Sequence, residues 1–259
     1  MSIKKPKLYQ PKILMLDIER APYLGYLWDQ GKQYISEAQI IEDSYVLTWQ
    51  AKWWKGGWLS GNLWYDGREA MIKRVHDAIE AADVVIGWNS NGFDLKVLNK
   101  EFLSLSLGPP APYKSVDLLT TSRTQFKFLN NKLDYVARKM GCPYGKLPHD
   151  KSMWLACMGL GADKDMEKHY AKMLRYNKRD VQLLDWIFPR FRPYIRSFPN
   201  LNIYLPESGG KRRCPRCLHT KLRLFDKRPV LELARDRYHC GHCGGWSYWM
   251  AQKQVLKPL

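Results

Sequence analysis

The stretch Ile13-Leu14-Met15-Leu16-Asp17-Ile18-Glu19 constrains this chain more than any other, because it is an apolar run that carries two acids. Its apolar content predicts a mostly buried β-strand, and side chains on a strand alternate between faces. Asp17 and Glu19 then share a face with Ile13 and Met15, whereas Leu14, Leu16 and Ile18 point the other way. Two neighbouring carboxylates repel each other, and each is costly to desolvate. Either the strand ends early and both acids stand in a solvated turn, or they are metal ligands. Asp-x-Glu alone does not separate the two readings.

At 259 residues, 45% of them hydrophobic, the chain can bury one full core and carry a small appended module. Forty-two Lys plus Arg against 25 Asp plus Glu leave a formal charge of +17. Such an excess concentrates polyanions and speeds their capture, which makes nucleic acid the expected partner. The 11 Trp and 15 Tyr suit base stacking where basic residues interleave with them, although most belong to the core. The first apolar stretch reaches only Leu16 before it meets Asp17, too short for a signal sequence, and no later run approaches a membrane span. A cytoplasmic location without membrane association is the expectation. In a reducing compartment the six cysteines are read as thiols or metal ligands before disulfides.

Residues 45–54 and 58–65 are rich in β-formers around Lys55-Gly56-Gly57, which predicts a hairpin beside the first strand. Residues 68–82 place Met71, Val75 and Ile79 at helical spacing, with His76 at the surface. Residues 83–87 form a short buried strand. A helix from about Gly92 to Leu105 then puts Asp94 among Val97, Leu98 and Phe102, on its apolar face. Asp94 lies in the positive end of the helix dipole, so capping alone is the alternative to a ligand role. Asn89 and Asn91 are cap and turn residues that also suit contact with substrate.

Ser115 to Leu119 predicts a further strand, with Asp117 in a structural or supporting role. Residues 130–140 form an amphipathic helix, and residues 145–161 follow no period. Cys142 and Cys157 lack ligand spacing and are ordinary buried thiols. The segment Tyr170 to Phe188 is a helix with Met173, Val181, Leu184, Ile187 and Phe188 inward and Lys178, Arg179, Gln182 and Asp185 facing water. Asp180 falls inside that apolar stripe, with Tyr176 one turn earlier. A carboxylate there needs a cation, either a metal or a buried Arg. Strand, hairpin, helix, strand and helix in this order predict a mixed α/β sheet with helices on its faces.

Beyond Phe188 the chain turns to Pro193, Pro199, Pro206 and Ser208-Gly-Gly210, and then to Cys214-Pro-Arg-Cys217 and Cys240-Gly-His-Cys243. Two Cys-x-x-Cys pairs separated by 22 residues match a zinc ribbon, in which two knuckles close one tetrahedral Zn²⁺ site. Such a module has little core, so the metal supplies much of its folding energy. Lys211, Arg212, Arg213 and Arg216 are placed to grip phosphates, and Trp246 to stack on a base. The competing role is docking to a replication or recombination protein.

Taken together, strand Asp17 and Glu19, helix Asp94 and helix Asp180, with Tyr176 four residues before the last, resemble the DEDD superfamily of 3′–5′ exonucleases, which have a ribonuclease-H-like fold. The Tyr-x-x-x-Asp spacing is similar to the DEDDy branch. The other branch has a His five residues before the final Asp, where this chain has Arg175. Val85-Ile-Gly-Trp-Asn-Ser-Asn-Gly-Phe-Asp94, Asn131-Lys-Leu-Asp-Tyr-Val-Ala137 and Tyr176-Asn-Lys-Arg-Asp-Val181 are similar to exonucleases related to the proofreading domains of family-B DNA polymerases, in the stand-alone form frequent in bacteriophages. The resemblance covers roughly residues 10 to 200 and extends to the Cys-rich tail.

The resemblance implies a ribonuclease-H-like mixed β-sheet flanked by helices over residues 1–200, a linker at 201–210 and a zinc ribbon over 211–259. It implies two Mg²⁺ or Mn²⁺ ions as catalytic cofactors, which hard oxygen donors favour. Asp17 would bridge both ions, Glu19 and Asp180 would complete the nucleophile-side site, Asp94 would hold the second ion through water, and Tyr176 would orient the attacking water. The implied activity is metal-dependent hydrolysis of DNA from the 3′ end, at single-stranded or frayed ends, with release of nucleoside 5′-monophosphates. An exoribonuclease, or a silent protein that only binds nucleic acid, are the alternatives.

Overall fold

The structure is a computed structural model that describes residues 11–204, 212–230, 233–250 and 255–258. The opening strand β1 runs Ile13–Arg20, followed by a short pair, β2 (Leu24–Gly25) and β3 (Ile40–Glu42). The expected hairpin is β4 (Val46–Trp53) and β5 (Trp58–Asn62). One turn of helix, α1 (Leu63–Asp66), leads into α2 (Arg68–Glu80), then β6 (Val84–Gly87), α3 (Asp94–Ser104), β7 (Lys114–Asp117), α4 (Leu118–Gln125), α5 (Leu133–Lys139), α6 (Ser152–Cys157) and the long α7 (Met166–Phe191).

Strands β5, β4, β1, β6 and β7 form one sheet in that order. The hairpin joins β1 antiparallel, whereas β6 and β7 are parallel to it and to each other. The alternation read in β1 separates two cores. Ile13 and Met15 pack with Val136, Val181, Leu184, Ile187 and Phe188, beneath α5 and α7. Leu14, Leu16 and Ile18 pack with Met71, Val75, Ile79, Leu98 and Phe102, beneath α2 and α3. Helix α7 therefore lies on the face that bears Asp17 and Glu19, and Lys52 on β4 ties it down through an ion pair to Asp185 at 2.9 Å.

Two segments depart from expectation. Asp117 ends its strand and caps α4, accepting from the backbone of Leu119 at 2.9 Å and Thr120 at 3.4 Å, so residues 118–125 continue as a helix. The aperiodic stretch 145–161 holds the short helix α6, whose Met153 and Cys157 pack with Ala21 just beyond β1. Asp185 and Arg179, expected in water, are half-buried; Arg179 donates to the carbonyl of Gly145 at 3.0 Å.

The tail forms its own sheet from β8 (Leu222–Val230), β9 (Leu233–Cys240), β10 (Trp246–Met250) and β11 (Val255–Pro258), in the order β11-β10-β9-β8 and antiparallel throughout. Of the expected linker 201–210, residues 201–204 form a 3₁₀ turn and the remainder lies outside the described residues.

Candidate active site

Strand β1 pairs with β6 only from Ile13 to Met15, so the two part company where the acids begin. The backbone N–H of Ile18, left without a strand partner on that edge, donates to Asp94 Oδ1 at 3.1 Å. Asp94 is the first residue of α3, two positions later than the expected start near Gly92, because residues 88–93 bend and turn first. That turn is built on Asp117, whose carboxylate accepts from the backbone of Asn89 at 3.0 Å and of Asn91 at 3.3 Å. Asn89 sits at φ 64°, a left-handed conformation that Asn tolerates better than most residues.

From the other side α7 brings Asp180, 3% exposed, and Tyr176, 6% exposed, onto the acid face of β1. One carboxylate oxygen each from Asp17, Glu19 and Asp180 lies within 4.8 Å of the others. The predicted acids thus converge, with Asp94 one strand-edge away.

Burial and mutual repulsion act on all of them. Burial first, then the carboxylates of Asp180, Asp94 and Glu19, push Asp17 well above the usual carboxylate range. Burial and then Asp180 push Glu19 up to about 8. Burial raises Asp94 to about 7 and raises Asp180 too, against the pull of Lys146. A cluster of buried and half-buried oxygen donors that resist ionising is relieved by a divalent cation. Asp180 Oδ1 is buried without a hydrogen-bond partner and can serve as a ligand. The donor set fits Mg²⁺ or Mn²⁺.

Three residues that the sequence did not reveal complete the site. Asn177, fully buried on α7, donates from its side-chain amide to Asp17 Oδ2 at 2.6 Å. It lies three residues before Asp180, so a polar residue on the same apolar face was its only signal. Lys146 comes from the aperiodic loop and had none. Its ammonium group pairs with Asp180 Oδ2 at 2.6 Å and donates to the Tyr176 hydroxyl at 3.0 Å. Burial opposes its charge, but Asp180 and these hydrogen bonds keep its pKa above the usual lysine range. Trp154 on α6 stands beside Glu19 at the same cavity wall and packs edge-on against Tyr176, ring centroids 5.8 Å apart. Burial raises Tyr176 to about 12, so its phenol stays protonated near neutral pH.

A cavity of about 460 Å³ opens beside Glu19, walled by Arg20, Ala21, Pro22, Phe93, Lys151, Trp154 and Leu155. Asn89 and Asn91 are exposed at the rim of the turn that starts α3, and Asn91 Oδ1 accepts from the Ser115 hydroxyl.

In the tail, Cys214, Cys217, Cys240 and Cys243 each bring a sulfur within 4.8 Å of the other three. The Cys214–Cys243 and Cys217–Cys240 sulfurs are 3.7 Å apart. A disulfide would require about 2.05 Å. Four bonds of ~2.3 Å to the corners of a tetrahedron put sulfurs ~3.8 Å apart, so the site fits Zn²⁺. Both knuckles turn alike: Leu218 N–H donates to Cys214 O at 2.8 Å and Gly244 N–H to Cys240 O at 2.9 Å, and Leu218 and Gly244 both have positive φ.

The expected phosphate grip of the tail is only partly free to act. Arg216 is 2% exposed, and its guanidinium donates to the carbonyls of Ile195 at 2.6 Å and Arg192 at 3.1 Å. Burial against the end of α7 removes it from any phosphate at the surface, which corrects its expected role. Arg213 is half-buried and donates to Leu218 O at 3.4 Å, and the exposed Arg212 lies over the Tyr238 ring at 5.1 Å. Trp246 is half-buried against Phe225, at 5.0 Å, and His239, at 4.9 Å. Lys211 lies outside the described residues. No helix among the described residues is long and apolar enough to cross a membrane.

The RNase_H superfamily model matches residues 65–190, a span that contains Asp94, Tyr176 and Asp180. Among solved structures, the chain is similar to the family B DNA polymerase from the hyperthermophilic archaeon Pyrobaculum calidifontis, with 18% identity and a TM-score of 0.52 over 73% of this chain and 26% of that one. The chain thus corresponds to about a quarter of that polymerase. No curated protein matches in sequence. Sheet order, helix placement, family model and structural match agree that the acids stand on a ribonuclease-H-like fold.

Proposed function

We propose that the chain is a metal-dependent 3′–5′ exonuclease that trims single-stranded or frayed DNA ends and releases nucleoside 5′-monophosphates. The observation that carries this reading is the convergence of Asp17, Glu19 and Asp180 within 4.8 Å, beside Asp94 and Tyr176. Two Mg²⁺ or Mn²⁺ ions held there would supply an activated water and neutralise charge that develops on the phosphoryl and leaving oxygens. Asp17, Glu19 and Asp180 would hold them, with Asp94 in support.

The remaining residues orient. Lys146 donates to the Tyr176 oxygen, so the phenolic hydrogen points elsewhere, and the negative charges near it are those of Asp180 and Glu19. Tyr176 is then a hydrogen-bond donor that aims water at phosphorus; with a pKa near 12 it is no proton acceptor for that water. Asn177 fixes one oxygen of Asp17 and leaves the other for metal. The cavity walled by Phe93 and Trp154 suits the terminal nucleobase, since stacking tolerates any base. Similarity to a DNA polymerase and the sequence words shared with proofreading domains favour DNA over RNA. The Cys₄ knuckles hold a structural Zn²⁺.

The test is digestion of 5′-labelled and 3′-labelled oligonucleotides, single- and double-stranded, DNA and RNA, with Mg²⁺ or with chelator. The reading expects a descending ladder from the 5′ label and immediate release of the 3′ label as mononucleotide, on DNA and only with metal. Faster loss of RNA moves the substrate class; release of a 5′-labelled mononucleotide reverses the polarity.

A further inference from the structure

The tail is seated on the nuclease domain by residues that flank its thiol cluster. Leu201 N–H donates to Pro215 O at 2.7 Å, Asn202 donates to Arg213 O at 2.9 Å, and Leu218 packs on the core beneath α7. At the centre two arginines interlock. Arg192, immediately beyond α7, donates to the carbonyl of Arg216, and Arg216 donates back to the carbonyl of Arg192 at 3.1 Å. Both are 2% exposed. The Arg192 guanidinium also lies over the rings of Trp54, at 4.4 Å, Phe198, at 5.0 Å, and Phe188, at 5.3 Å.

Two like charges buried side by side are costly, and neutral carbonyls and ring faces offset only part of that cost. The thiol cluster next to them offsets the remainder. Arg216 and Cys243 crowd the same spot: a Cβ at Gly245 would stand 2.8 Å from Arg216 Cδ and 3.3 Å from Cys243 Sγ. The carbonyl that receives Arg192 belongs to the Cys214-Pro215-Arg216-Cys217 knuckle itself, so both guanidinium groups stand beside the thiol cluster. Four thiolates around one Zn²⁺ carry two net negative charges, which match two guanidinium groups.

We propose that Arg192 and Arg216 are the counter-charges of the Cys₄ zinc site, so that metal loading is what clamps the ribbon onto the end of α7. Arg192 belongs to the nuclease domain, so the zinc site is completed from outside the ribbon. Loss of the metal removes the anionic cluster that offsets the two buried cations and leaves them against each other. The clamp then opens at residues 192–198, which directly continue the helix that carries Asp180 and Tyr176.

The test uses the full chain, Zn²⁺ alone and a competing chromogenic chelator. Arg192→Met keeps the apolar stem that lies on Trp54 and Phe188 but loses the charge, and it should weaken zinc ~10–100-fold, the usual effect of removing a partner that supports metal ligands. Arg192→Lys should retain most of the affinity. The exposed Arg190→Met, two residues away, should bind like wild type. In the wild-type protein, zinc removal should speed hydrogen exchange at residues 192–198. Wild-type zinc affinity in Arg192→Met, an equal loss in Arg192→Lys, or unchanged exchange at 192–198 on chelation each overturns the proposal. If Arg192→Met does not fold, the Lys variant and the exchange measurement decide. None of these readouts requires nuclease activity, so the outcome is independent of the reaction proposed above.

Discussion

The side-chain amide of Asn177 donates to Asp17 Oδ2 at 2.6 Å, joining helix α7 to the opening strand across 160 positions of sequence. It fixes one oxygen of the most crowded acid in the site. Asn177→Leu, close in size, removes that donor, and Asp17 is then free to rotate. The Mg²⁺ concentration for half-maximal activity should rise ~10–100-fold, as for other residues that orient a metal ligand. A Mg²⁺ titration at saturating substrate measures this, and an unchanged midpoint reduces Asn177 to packing.

Tyr176→Phe removes the phenol and keeps the ring against Trp154 and His149. Turnover should fall at least ~10²-fold if the hydroxyl orients the water, with little change in melting temperature. Lys146→Met should slow the same step less, since the phenol remains but loses its fixed direction. Single-turnover rates separate these effects from product release.

The acid cluster also predicts how stability depends on pH when metal is absent. Glu19 is raised from 4.5 to about 8 and Asp94 from 3.8 to about 7, mainly by burial. Between those values the folded chain binds more protons than the unfolded chain, so stability falls as pH rises. In chelator, melting temperature should drop from pH 5 to pH 8. Mg²⁺ should remove most of that drop, since a bound cation keeps the carboxylates ionised. A metal-free melting temperature that rises over this range contradicts the site.

Gly245→Ala places a methyl 2.8 Å from Arg216 Cδ and 3.3 Å from Cys243 Sγ. Arg216 is held by two carbonyls and cannot swing aside. Zinc affinity should fall although no ligand is altered, and by more than in Gly244→Ala, where the added Cβ meets only Pro193 Cγ at 3.9 Å and Leu218 holds the matching positive φ in the other knuckle. Chelator competition on the purified variants reads both.

Local patterning made much of this visible in the sequence. Period two in residues 13–19 separated the two cores, and period 3.6 in α7 marked Asp180 as out of place on an apolar face. The Cys pairs announced their own site through spacing. What stayed hidden depends on tertiary contact. Lys146 lies in a stretch without period, and nothing local distinguishes it from other lysines. Arg216 looked like a phosphate ligand because it is basic and next to Cys217; its contacts with Arg192 and Ile195, 24 and 21 positions away, bury it. Asp117 looked like the middle of a strand, yet its carboxylate caps one helix and holds the turn that starts another.

The most direct single measurement is Mg²⁺-dependent shortening of a 5′-labelled single-stranded DNA by wild type and Asp17→Ala side by side, with folding of both checked by thermal melting. A two-metal site predicts a one-nucleotide ladder from the wild type and none from the folded variant. Equal shortening by the two proteins, or none by the zinc- and Mg²⁺-loaded wild type, contradicts it.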